Sequence, residues 1–196
     1  MSKVEPTPPR RAVDKIRDTA RELFYREGIR AVGVDEIVTK AGVTKPSLYR
    51  SFGSKDELAV AVLRESEAGF WARWDEAMAD HPGDPRAQLL AFFDRLAERS
   101  SKEDYRGCTL TNAAVEFPEH DHPARQVAEA HKRDLRARLR AKAVELGAAD
   151  PDRLGDSLTL LVEGAYASSQ LFGEGGPSGS VGNAAAALID VALRPA

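Results

Sequence analysis

The sequence predicts an all-α protein, and three observations carry that prediction. Apolar residues recur three and four apart in segment after segment, glycines stand where helices stop, and no segment alternates apolar and polar residues as a half-buried strand would. In the first such segment Val13, Ile16, Ala20, Leu23 and Phe24 share one face with charges between them. Gly28 follows where a left-handed stop belongs, so the spacing predicts a helix over about 12–27.

A second, shorter helix starts after Gly33, with Asp35 and Glu36 suiting the positive end of its dipole and Glu36 placed to reach back as a cap. Ile37 and Ala41 face inward, and Ala41-Gly42-Val43 is a tight turn in which Gly42 supplies a positive φ. Thr44 caps a third helix with Pro46 in its first turn and Leu48 and Phe52 on its buried face. Gly53 ends it, and Ser54 caps a long fourth helix that runs to His81-Pro82-Gly83. Four further helices are signalled by Leu89/Leu90/Phe93/Leu96, by Cys108 to Phe117, by Val127/His131/Leu135/Leu139/Leu146 and by Leu154/Leu158/Leu161/Val162/Ala165. A glycine-rich linker, FGEGGPSGSVGN, is expected to be flexible before a last helix, AAAALIDVAL. The proline-bearing residues 1–11 read as a mobile arm.

At 196 residues and 21.3 kDa the chain supports one large or two small domains, which excludes a multi-domain enzyme. Its net charge of −3 hides a division. Residues 1–60 hold 12 Lys and Arg against 9 Asp and Glu, leaving 16 against 22 in the remainder. A basic head beside an acidic body would steer a polyanion to one face. The single cysteine, Cys108, excludes an intramolecular disulfide and a multi-thiolate zinc site, and fits a reducing cytoplasm. No apolar run reaches the roughly 18 residues of a membrane span and the first residues lack a signal-peptide core, so a soluble, intracellular protein is expected.

Two short helices joined by a glycine turn and braced by a preceding amphipathic helix make a helix-turn-helix, here over about 33–52. A recognition helix keeps one side for the small core and gives the other to groups that reach phosphates and base edges in a DNA major groove. Leu48 and Phe52 make the first side; Lys45, Ser47, Tyr49 and Arg50 make the second. Thr44 can meet a phosphate from the cap position, and Lys55 can anchor the backbone from another direction. Core packing alone would give the same periodicity, so the individual residues matter. The run Ala41-Gly42-Val43-x-Lys45-x-x-Leu48-Tyr49-x-x-Phe52-x-x-Lys55-x-x-Leu58, after Ala20-x-x-Leu23-Phe24 and Gly28, resembles the DNA-binding domain of the TetR (tetracycline-repressor-like) transcriptional regulators over about residues 10–60.

The resemblance implies a helix-turn-helix domain over 10–70 and, over 71–196, a helical domain that dimerises and usually encloses a small-molecule pocket. It further implies phosphate contacts from Thr44, Lys45, Tyr49 and Lys55 and base reading from the face of Lys45, Pro46, Ser47 and Arg50. Two positions depart from the pattern. Gly33 stands where many members carry a capping Ser or Thr, removing a hydroxyl that could meet a phosphate, and Ser51 stands where many carry His or Tyr, which weakens the backbone clamp or shifts it onto Arg50. Glycine still serves as an N-cap and serine still donates one hydrogen bond.

Dimerisation is also expected on symmetry, because one small head reads few base pairs, whereas two on a twofold axis read a palindrome in successive major grooves about 34 Å apart. The helix over about 152–172 and the final helix form the expected interface: Gly164, Ala165, Ala167 and Ser168 for close approach, Leu158, Leu161, Leu188 and Val191 for apolar area. Candidates for an effector pocket are Trp71, Trp74, Met78, Phe93, Cys108, Asn112, Phe117, Tyr166 and Gln170, with Phe70 and Phe92 beside them; each also reads as ordinary core. Asn112 and Gln170 would be telling if buried. In HKRDLRARLRAK the cations Lys132, Arg133, Arg136 and Arg140 fall on one flank and read as a solvated helix face.

Cys108 near a helix start reads either as a packing residue or as a reactive sensor. Glu119-His120-Asp121-His122 offers metal-ligand chemistry, but Pro118 and Pro123 bracket it as a loop with no enforced common face. The combined expectation is a homodimeric repressor of a palindromic double-stranded DNA operator, released by a small-molecule effector that acts through the fourth helix, with no cofactor, no metal and no catalysis. The competing reading is a helical enzyme or metal-binding protein using the Cys108 and His120/His122 region.

Overall fold

The computed structural model describes residues 11–194, so the arm expected over 1–11 lies outside the described residues apart from Arg11. Among the described residues there are helices and no strand. They form two compact units, one ending at Val62 and the other beginning at Leu63.

The first unit holds α1 (Ala12–Glu27), α2 (Val34–Ala41), α3 (Lys45–Phe52) and the start of α4 (Lys55–Ala79). Its core is the predicted stripe Ile16, Ala20, Leu23 and Phe24, joined by Ile29, Val32, Ile37, Leu48 and Leu58. Gly42 closes α2 in the left-handed region, φ 63° and ψ 40°, a conformation that costs glycine nothing. Two caps differ from expectation. Glu36 does not reach back over the start of α2, because its carboxylate is taken one turn onward by Lys40 at 2.9 Å. Thr44 holds the N-cap position of α3 through its carbonyl, which accepts from the Ser47 and Leu48 N–H groups, while its hydroxyl turns aside to the Ser47 hydroxyl at 2.9 Å. Ser54 caps α4 as predicted, accepting from the Glu57 N–H at 3.0 Å. Phe52 is half-buried, so Leu48 alone is the fully buried anchor of α3.

The second unit holds the rest of α4, then α5 (Pro85–Ser100), α6 (Thr109–Glu116), α7 (Pro123–Glu145), α8 (Pro151–Phe172) and α9 (Val181–Ala192). Three of these helices open on proline behind a side-chain cap: Asp84 accepts from the Ala87 N–H, His122 from Ala124 and Asp150 from Arg153. The core gathers Leu89, Phe93 and Leu96 from α5, Leu110 from α6, Leu135 and Leu139 from α7, Leu158 and Val162 from α8, and Ile189 from α9. α7 and α8 cross with almost no space between them at Gly155, where a Cβ would lie 2.5–2.8 Å from Arg140 Cγ, Cα and N.

Two readings of this unit are corrected. The glycine-rich stretch contains a 3-10 turn, Pro177–Ser180, and α9 starts at Val181, earlier than the alanine run. Ser178 is buried with its hydroxyl aimed at the Ser100 carbonyl, and Gly182 packs so tightly on α5 that a Cβ would strike Asp94, so packing orders what composition marks as a linker. The cationic flank of α7 is not simply solvated either: Lys132 pairs with Glu163 at 2.7 Å, Arg136 with Asp156 at 2.7 Å, and Arg140 with both Asp156 and Asp152, while Arg133 alone of the four turns away to Glu129. Acidic residues on α8 run opposite these cations, which holds the two helices antiparallel. Among the described residues no helix is long and apolar enough to cross a membrane.

Candidate nucleic-acid interface

α3 is pinned to its unit by Leu48, 0% exposed, so its orientation is fixed by core packing. The opposite side carries Lys45, Pro46, Tyr49 (44% exposed) and Arg50, with Thr44 exposed at the helix start and Ser47 half-buried between them. These residues form a bonded set. Ser47 Oγ meets Thr44 Oγ1 at 2.9 Å and accepts from Arg50 Nη2 at 3.4 Å, while Ser51 donates to the Ser47 carbonyl at 2.9 Å and so spends its hydroxyl within α3. Lys45 Nζ reaches across to Asp35 at the start of α2, 2.9 Å from Oδ1, and hydrogen bonding to that carboxylate raises the pKa of the ammonium. Lys55 donates to the Arg30 carbonyl at 3.3 Å, tying the start of α4 to the loop after α1. At Gly33 a Cβ would meet nothing within 4 Å, so the absent hydroxyl reflects no steric need.

The pocket candidates of the second unit separate into groups. Trp71, Trp74 and Phe93 belong to a chain of rings with Phe70 and Phe92, with centroid separations of 4.9–6.3 Å and mostly edge-on contacts. Met78 is half-buried nearby in sequence, and its carbonyl accepts from the buried Gln88 amide. Cys108 and Tyr166, both buried, belong to a second group, whose other members the sequence reading did not single out as site residues. There Lys132 Nζ lies 3.7 Å from Cys108 Sγ, 2.7 Å from Glu163 and 4.9 Å from the centre of the Tyr166 ring, and Thr111 donates to the other Glu163 oxygen at 3.0 Å. Burial pushes the Tyr166 phenol well above its ordinary pKa. Asn112 is half-buried and Gln170 exposed; they bond to each other at 3.3 Å, so the condition that would have made them telling is not met. Phe117 stands apart, stacked on His122 at 3.8 Å.

His131 belongs to the ring chain and was legible only as a member of the apolar stripe of α7. It is 0% exposed, edge-on to Phe70 at 4.7 Å, and neither ring nitrogen has a hydrogen-bond partner; Glu67 Oε1 stops 3.7 Å away. Burial, reinforced by the neighbouring Lys132, pushes its pKa down to about 4. His120 binds Glu129 at 2.8 Å and His122 caps α7, so the two loop histidines have separate partners. Among the described residues no group of three His, Cys, Asp or Glu side chains could hold a metal ion.

A short helix fixed from behind by one leucine, offering cations, hydroxyls and a phenol in front, and followed by an all-helical second unit, defines a helix-turn-helix regulator. Comparison with known proteins gives the family. Residues 16–62 match the model of bacterial regulatory proteins of the tetR family, and residues 85–185 match that of the tetracyclin repressor-like C-terminal domain. The HTH-type transcriptional activator FasR of Mycolicibacterium smegmatis is 41% identical over 84 residues, spanning 41% of this chain but 38% of FasR. The HTH-type transcriptional regulator YxaF of Bacillus subtilis is 28% identical over 155 residues, 77% of this chain and 81% of that protein. The crystal structure of a TetR-family transcriptional regulator from Streptomyces coelicolor superposes with a TM-score of 0.84 at 30% identity, covering 93% of this chain and 94% of the other. The chain belongs to the tetR family of bacterial regulatory proteins and is a transcriptional regulator with a helix-turn-helix DNA-binding domain. None of these matches supports the helical enzyme reading.

Proposed function

We propose that the protein represses transcription in the cytoplasm as a homodimer on a palindromic operator and is released by a small-molecule effector bound in its second unit. The observation that carries this reading is the α3 face. Lys45, Tyr49 and Arg50 are exposed together while Leu48 is fully buried, as a helix entering a major groove requires. Thr44, Lys45, Tyr49 and Lys55 hold phosphates in this reading, and Lys45, Pro46, Ser47 and Arg50 face base edges. Dimerisation draws support from a band on α8, where Leu160, Gly164, Ala167 and Leu171 recur at helical spacing on the exposed side, with Phe172 and, on α9, Val191 also exposed. Leu158 and Ala165, by contrast, are buried within the protomer. An effector would be received by the ring chain holding Trp71, Trp74 and Phe93 and by the groups around Cys108 and Tyr166, with Met78, Asn112, Phe117 and Gln170 as further candidate contacts.

The deciding experiment is salt-dependent binding to a palindromic fragment upstream of the protein's own gene. Wild-type protein should bind specifically, and the Lys45→Ala, Tyr49→Ala double variant should lose that binding while keeping its helical content. Equal affinity in the two proteins defeats the reading.

A further inference from the structure

We propose that the second unit carries an anion site, formed by Arg73 of α4, Arg99 of α5 and the Tyr166 hydroxyl of α8, which takes the carboxylate head of an apolar small molecule whose body lies on the ring chain. This rests on the effector reading and gives that ligand a chemical class. A long side chain on a helix leans back over the turn before its own. Arg73 does so: Gly69 lies one turn earlier, and a Cβ there would be 3.4 Å from Arg73 Nη1, so the glycine leaves the guanidinium its room. α4 and α5 run antiparallel here, with the Met78 carbonyl bonded to Gln88, Trp74 against Phe92 at 4.9 Å and Phe70 6.0 Å from Phe92. Two turns beyond Phe92, Arg99 leans back along α5 by the same rule and comes within electrostatic range of Arg73. Tyr166 closes the third side, in range of both arginines.

The protein does not balance these two cations. Among the described residues neither guanidinium has a hydrogen bond or an ion pair, and the groups that favour the charge of Arg73 are Tyr166, Tyr105 and Cys108, two phenols and a thiol rather than carboxylates. The carboxylate in range of Tyr166, Glu163, is already held by Lys132 at 2.7 Å and by Thr111 at 3.0 Å. Arg73 is exposed, yet its pKa is lowered, first by burial and next by Arg99. A side chain that solvent reaches while protein surrounds it lines a concavity. Tyr166 is 2% exposed, and among the described residues its hydroxyl has no hydrogen-bond partner. Its raised pKa keeps the proton in place to be donated. A carboxylate answers all three groups, because its two oxygens accept from both guanidiniums and from the phenol while its charge relieves their repulsion. Phe70 stands one turn before Arg73 and Phe92 two turns before Arg99, which sets the ring chain beside the charges for the apolar body.

The probes are 3-phenylpropanoate and octanoate, each paired with its neutral amide and titrated calorimetrically into the full chain without DNA. Both tryptophans of the protein, Trp71 and Trp74, belong to the ring chain, so their fluorescence reports the arrival of the apolar body. At least one carboxylate should bind about tenfold or more tightly than its amide and change the tryptophan emission. Arg73→Met and Arg99→Met should each weaken that binding about tenfold. In ligand-free protein both should leave the unfolding midpoint unchanged or raised, since each removes one of two unpaired cations, whereas a purely structural arginine would lower it when replaced. Tyr166→Phe removes only the hydroxyl and should weaken the carboxylate without affecting the amide. Carboxylates that do not bind, that bind no better than their amides, or that keep full affinity in both arginine variants overturn the site. A carboxylate that binds through Arg73 and Arg99 yet leaves operator affinity unchanged upholds the site and defeats the effector reading; an uncharged molecule that releases the operator while neither carboxylate binds does the reverse.

Discussion

His131 binds a proton in the unfolded chain below about pH 6.5, yet in the folded one it stays neutral down to about 4. Between those values the unfolded state carries the extra proton, so the contribution to stability is whole above 6.5 and is lost as pH falls toward 4. The groups facing the ring are Glu67 from α4 and Lys132, Asp134 and Arg138 from its own helix, and burial outweighs their mixed charges. Denaturant unfolding should show wild-type protein losing about 2 kcal/mol more than His131→Leu between about pH 7 and pH 5. A second single-residue effect is conformational. Gly42 adopts φ 63° with open space around it, so Gly42→Ala should cost about 1 kcal/mol from the left-handed backbone alone, read as a lowered denaturation midpoint. Gly42 was legible because its requirement is local. The solitude of the His131 nitrogens was not, because it depends on which groups α4 brings near the ring.

Helix positions followed closely from the chain wherever a stop, a proline or a cap lay within one turn of an apolar stripe, as at Gly28, Pro46 and Ser54. What escaped was register between helices. Lys132 and Glu163 are 31 residues apart, and a cation on the flank of an isolated helix looks solvated until a facing helix supplies a carboxylate. The available signal was a row of carboxylates, Asp152, Asp156 and Glu163, whose order along α8 is the reverse of the order in which their partners Arg140, Arg136 and Lys132 lie along α7. Crossing geometry gives a contrast at two glycines of α8. Gly155→Ala would place a methyl group within 2.8 Å of the α7 backbone at Arg140, and should destabilise the second unit by about 1–3 kcal/mol in chemical denaturation. Gly164→Ala meets nothing within 4 Å in the protomer and should leave its unfolding midpoint unchanged or raised.

At the scale of the whole molecule, a dimer held through α8 and α9 should fall apart when Leu171 and Phe172 are both replaced by glutamate. Light scattering would then report the mass of one chain, with the far-ultraviolet circular dichroism of a folded protein. Operator affinity should also respond to salt in a way that distinguishes two lysines of the head, Lys45 and Lys55. Lys55, held by a neutral carbonyl, should contribute close to one unit of the logarithmic salt dependence per head, measured as the change of slope in Lys55→Ala. Lys45 begins from a different state, because Asp35 already neutralises it. In the proposed reading, engaging a phosphate would exchange one anion for another and leave a bare carboxylate behind at the DNA surface. Such a residue would discriminate: a loosely seated duplex would gain little from displacing Asp35, whereas a well-seated operator would recover the loss through the other proposed contacts of α3. Asp35→Asn should therefore tighten binding to random DNA more than binding to the operator, making the protein a stickier and less choosy reader.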